Sequence, residues 1–157
     1  MTAEIFNHFL HLPNLIFHEA GHVFFYPFGA FIASLGGTLG QLLIPLICLL
    51  VLFIKSRDPF GGFVCLWWFG QNFLDIAPYV FDATFMKVPL VGGIYGHSAP
   101  YGVHDWNFIL SESGLLSYYS ELAMAAYIIG VIIMLASLIG AAQVLINHFR
   151  NIKKIEN

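Results

Sequence analysis

Residues 12–35 read LPNLIFHEAGHVFFYPFGAFIASL, and inside this run His18-Glu19-Ala20-Gly21-His22 forms an HExxH motif. On a helix, two histidines four residues apart lie one turn apart on one face, so both imidazoles reach a single metal ion. The glutamate beside them can take a proton from metal-bound water. Random placement of seven His and five Glu in 157 residues predicts roughly 0.01 such motifs. The residues around the motif are almost all apolar, so the motif and the surroundings have to be read together.

Hydrophobic residues make up 59% of the chain and charged residues 10%, against about 25% charged in an ordinary soluble domain. A soluble chain of this length could not hide so much apolar surface. The sequence therefore predicts an all-α polytopic membrane bundle, a single integral membrane domain over residues 1–157, with three to four transmembrane helices. The apolar segments cover about 12–35, 38–54, 60–80 and 122–146. A Gly- and aromatic-rich loop covers 81–117, and a basic tail covers 147–157. Pro27 is expected to kink or end the first helix, and Gly36-Gly37 to break the chain before the second. Pro13 suits a first turn, with Asn14 or a residue before it as cap. Ala126/Gly130 and Ala136/Gly140 are small-xxx-small pairs that let another helix approach.

Lys55 and Arg57 lie between the second and third segments, and Arg150, Lys153 and Lys154 follow the last. Basic loops favour the cytoplasm, so the C-terminus is expected there and loop 81–117 outside. The N-terminus lacks a basic start followed by an apolar run and a cleavage site, so no removable leader is expected. Six Lys and Arg with no basic stripe argue against nucleic acid as a partner. The expected partners are the lipid bilayer and a membrane-protein or peptide substrate, or a larger membrane complex.

A catalytic zinc takes three protein ligands and keeps one position open. His18 and His22 supply two, with Glu19 as base. The extended form of the motif is absent, because Phe25 and Phe28 occupy its Gly and His positions. Asp75, deep in an apolar segment, needs a partner and is the first candidate for third ligand. Asn72, one turn earlier, would hold substrate backbone, steady the carboxylate or assist an oxyanion. His104 and Asp105 are the competing ligands, although Asp105 also suits a helix cap. His97 reads as a loop histidine, and His8, His11 and His148 as interfacial.

HEAGH on an apolar helix, followed by Asn72-x-x-Asp75 on another, resembles the site-2 protease family of membrane-embedded zinc metalloproteases, most closely its small bacterial members. The resemblance implies Zn2+ held by His18, His22 and Asp75, with Glu19 as the general base of peptide hydrolysis in or near the membrane. Leu74-Asp75 matches the first two positions of the family's Leu-Asp-Gly motif, and Ile76 replaces its Gly. The alternative is a non-catalytic membrane subunit or assembly factor with a structural or vestigial metal site. A proton or metal-ion transporter is a third reading.

Overall fold

The computed structural model describes residues 9–91 and 93–155; His8 and the last two residues of the tail lie outside the described residues. Among the described residues the chain is all-helical, with an isolated antiparallel bridge between Pro89 and Tyr95 as its one extended pairing. Five α-helices follow in order: α1 (His11–Phe25), α2 (Ala30–Leu50), α3 (Pro59–Phe81), α4 (Asp105–Glu112) and α5 (Tyr119–Ile155). Two helical stretches, Ala30–Lys55 and Leu116–Ile155, are long and apolar enough to cross a membrane.

The break in the first apolar run falls at Pro27. A proline ring cannot continue the hydrogen-bond ladder of a helix it interrupts. Accordingly α1 stops at Phe25 and Tyr26–Phe28 tightens into one 3-10 turn. Gly29, at φ 94, then reverses the chain into α2. Gly36 and Gly37, expected to end a segment, lie instead inside α2 and are buried there. The reason is close packing: a Cβ on Gly36 would stand 2.7 Å from Phe25 Cβ and 2.8 Å from the Gly21 carbonyl oxygen. Small residues thus let α1 and α2 form a tight antiparallel hairpin.

Asp58 caps α3, accepting from Gly61 N–H at 3.0 Å, with Pro59 in the first turn. On α5 the residues buried are Ala123, Gly130, Ser137 and Gly140. The first three repeat every seven residues, the spacing of a seam between two supercoiled helices. Of the expected small pairs, Gly130 and Gly140 meet α3, while Ala136 is exposed. The outward Ile132, Leu135, Leu138 and Ile139 are each more than half exposed, a face suited to lipid. The segment expected as loop 81–117 carries the short helix α4 and the 3-10 turns Gly96–Ser98 and Leu116–Tyr118. The apolar core lies where α3, α4 and α5 meet, in Ile76, Val80, Ala83, Leu110 and Ala123. The helix α5 continues through the basic tail to Ile155.

Candidate metal centre

One side of α1 carries His11, Asn14, His18 and His22, at intervals of three, four and four residues. That is one continuous stripe at helical spacing. It faces polar residues on the neighbouring helices and borders a cavity of about 680 Å³, lined on other sides by α2, α3 and the segments before α4.

At one end of the stripe His18, His22 and Asp105 converge, each offering one ligand atom, all within 4.8 Å of one another. Asp105 Oδ2 lies 3.2 Å from His18 Nε2 and 3.3 Å from His22 Nε2. Zinc bonded to N and O at 2.0–2.2 Å in a tetrahedron holds its ligand atoms about 3.3–3.6 Å apart. The spacing therefore fits a small divalent ion. The outer contacts fit as well. His22 Nδ1 donates to the Ala33 carbonyl at 2.7 Å and His18 Nδ1 donates to Gln41 Oε1 at 2.9 Å. With Nδ1 committed as donor, each Nε2 presents its lone pair. Two lone pairs and a carboxylate at these distances need a positive charge between them, either a proton or a metal cation. Gly37 makes the room: a Cβ there would lie 2.5 Å from His18 Nε2 and 2.6 Å from His22 Nε2.

Asp105, a candidate ligand that also suited a helix cap, reaches this position because His104 takes the capping role. His104 Nδ1 accepts from Asn107 N–H at 3.2 Å at the start of α4. The Asp105 carboxylate is left to turn toward α1. Tyr79 grips the same residue twice, accepting from the Asp105 N–H at 3.2 Å and donating to its Oδ2 at 3.3 Å. Burial pushes the Asp105 carboxyl up, but when His18 and His22 are protonated at Nε2 in place of a bound cation their hydrogen bonds and charge outweigh burial and hold it below the usual carboxylate value. Burial lowers the basicity of His104, against the opposing pull of Asp82 3.4 Å from its Nε2. Asp82 in turn accepts from the Lys87 and Val88 N–H groups, pinning the segment that borders the cavity.

Asp75 faces the same cavity elsewhere. His11 Nδ1 donates to its Oδ1 at 2.9 Å and Asn14 Nδ2 to its Oδ2 at 3.1 Å. Asn14 also donates to Gln71 and accepts from Trp68 Nε1. It is thus an interior link between α1 and α3; the cap position, expected at Asn14 or a residue before it, falls at Leu10, with no side-chain cap bond. His11, expected at an interface with water, is the partner of Asp75. Asn72 is fully buried, donates to the Trp68 carbonyl at 3.0 Å and is not among the cavity-lining residues. His104 points to Asp82, away from the two histidines of the motif. His97 is exposed and bonds to the Met86 carbonyl. Glu19 lines the cavity. The structure therefore brings together His18, His22 and Asp105, with Glu19 beside them, and puts Asp75 in a separate pair. Sequence reasoning missed Gln41, Tyr79 and the His11–Asn14 part of the stripe. The three-and-four spacing along α1 was the signal for the last of these.

Comparison with models of known families, with characterised proteins and with solved structures finds no match, so the geometry of the site carries the functional reading.

Proposed function

We propose that this chain is a membrane-embedded zinc metalloprotease that hydrolyses peptide bonds in or near the bilayer. The single observation that carries this reading is the meeting of His18, His22 and Asp105 at a cavity lined also by Glu19. Three ligands and an adjoining void are the pattern of a catalytic zinc, whereas a structural zinc is closed by four protein ligands. The reading keeps the site-2 protease resemblance in His18, Glu19 and His22 and takes its third ligand from α4 in place of Asp75.

In this reading the chain is polytopic, with α3 and the α1–α2 hairpin in the membrane beside α5. The Lys55–Arg57 turn and the end of α5 are cytoplasmic and the 82–118 segment is outside, in a bacterial cytoplasmic membrane. Gly37, opposite the ligands, is seven residues into α2, about 10 Å from its Ala30 end at 1.5 Å per residue. The site would thus sit below the outer face at a depth water reaches through the cavity.

The ion, when bound, would bring its water's acidity near neutrality and polarise the scissile carbonyl. Glu19 accepts the proton at its carboxylate and delivers it to the leaving amide nitrogen. Gln41 and the Ala33 carbonyl hold the two imidazoles in the metal-binding tautomer, and Tyr79 holds Asp105 in place. The apolar wall of Leu15, Ile76, Leu90 and Val103 suits a hydrophobic peptide segment as substrate.

The test is a pair of substitutions in protein purified in mild detergent. Glu19→Gln is expected to keep one zinc per chain and lose cleavage of membrane-peptide substrates, while His22→Ala loses both. Full hydrolytic activity in Glu19→Gln refutes the base, and a wild type without stoichiometric metal refutes the reading. Zinc retained by a wild type that co-purifies with a fixed partner and cleaves nothing supports the non-catalytic subunit instead.

A further inference from the structure

Thr38 stands next to Gly37 on α2, so it is adjacent in sequence to the point where the two Nε2 atoms converge. It lines the cavity, is 6% exposed, and its Oγ1 has no hydrogen-bond partner. This is an unusual state for a helical threonine. The default for its hydroxyl inside a helix is to bond back to the carbonyl one turn earlier, and buried hydroxyls left without a partner carry a desolvation penalty. Its helical neighbour three residues on, Gln41, is spent on His18. Across the cavity the Tyr79 hydroxyl is engaged twice by Asp105. Thr38 is therefore a buried hydroxyl lining the same cavity as the His18, His22 and Asp105 group, with its donor capacity unspent.

We propose that the Thr38 hydroxyl is a catalytic donor to the oxygen of the scissile carbonyl, the atom that becomes negative as water adds. This rests on the metalloprotease reading above. In the step it serves, the water oxygen bonds to the carbonyl carbon and the carbonyl π pair moves onto its oxygen, where the Thr38 O–H donates. The C–N bond then breaks as the oxyanion collapses. The nitrogen leaves with the proton that Glu19 took from the water, and a carboxylic acid and an amine result. A donor already in place and shielded from bulk water favours the charged state over the neutral carbonyl. The unmet hydrogen bond in the resting protein is then a stored cost that is recovered when the oxyanion forms.

The site makes an opposed pair of demands on one substitution. Thr38→Val keeps the shape and removes the hydroxyl, so the melting temperature is expected to stay equal or rise while zinc stoichiometry is unchanged. Acetohydroxamate, whose oxygens bind metal and imitate the reacting carbonyl, is expected to bind Thr38→Val at least tenfold more weakly than wild type. Thr38→Ser, which restores the hydroxyl, is expected to recover wild-type affinity. In a peptide-cleavage assay kcat should fall about 100-fold or more with KM little changed. Equal hydroxamate affinity in wild type and Thr38→Val, a lower melting temperature for Thr38→Val, or no hydroxamate binding by zinc-loaded wild type overturns the assignment. A wild type that holds no zinc fails at the earlier step, and thereby separates the two ideas.

Discussion

Gly37→Ala is the sharpest perturbation the metal centre allows. The added methyl carbon would stand 2.5 Å from His18 Nε2, 2.6 Å from His22 Nε2 and 2.7 Å from His18 Cε1. Non-bonded carbon contacts settle near 3.5–4.0 Å, so both rings must retreat by roughly 1 Å. Metal coordination tolerates displacements of only about 0.2 Å from ideal bond lengths. Both ligands are therefore displaced by several times the tolerance. Zinc affinity is expected to fall by more than the 10- to 100-fold typical of losing an outer-shell partner. The helix itself should not suffer from the change, because alanine is favoured over glycine in a helix interior by about 1 kcal/mol. Overpacking costs about 1–3 kcal/mol and offsets that gain. The assay is zinc per chain by elemental analysis, titrated against a chelator of known affinity, with helix content by circular dichroism as control. A folded Gly37→Ala protein with wild-type zinc affinity would refute the placement of the metal between these imidazoles.

Further substitutions separate the two carboxylates and test the packing. Asp105→Asn should weaken zinc binding strongly, whereas Asp75→Asn should leave zinc stoichiometry intact. The latter should instead destabilise the α1–α3 contact by about 1–3 kcal/mol, the usual effect of removing a buried acceptor from its donors. Equal zinc loss in both would mean that the site recruits Asp75. Gly130→Leu should separate α3 from α5, because even a Cβ there stands 2.7 Å from the Gly70 carbonyl oxygen. A destabilisation of about 1–3 kcal/mol is expected, read as a fall in melting temperature, and an unchanged midpoint would contradict the packing described.

The helical character of the chain, the reactive motif and the two most apolar helices are legible in the sequence, because composition and three-and-four spacing are local properties. Two kinds of information are not. Gly36-Gly37 reads as a break by propensity, yet at a tight helix crossing the same missing side chains are a packing surface, and tertiary contact decides. The meeting of Asp105 with the two histidines depends on bringing residue 105 against residue 18, a separation of 87 positions. That placement is set by His104 capping α4, by Tyr79 and by Asp82 pinning the preceding segment, none of which has a periodic signature. Asp75 looked the better ligand because an intramembrane carboxylate needs a partner. It has one in His11, which lies on the same helical stripe as the motif and had been assigned to an interface with water.

The length of α5 has a practical consequence. Thirty-seven residues at 1.5 Å each make a rod of about 55 Å, far longer than the roughly 30 Å hydrocarbon layer. Its first turn rests on Phe81 and Phe85 at the end of α3 nearest the cavity. A fluorophore or affinity handle attached beyond Ile155 would ride at the far tip of that mast, at the opposite end of α5 from the turn that rests on α3, and could report topology or capture the protein without obstructing the cavity beside His18 and His22.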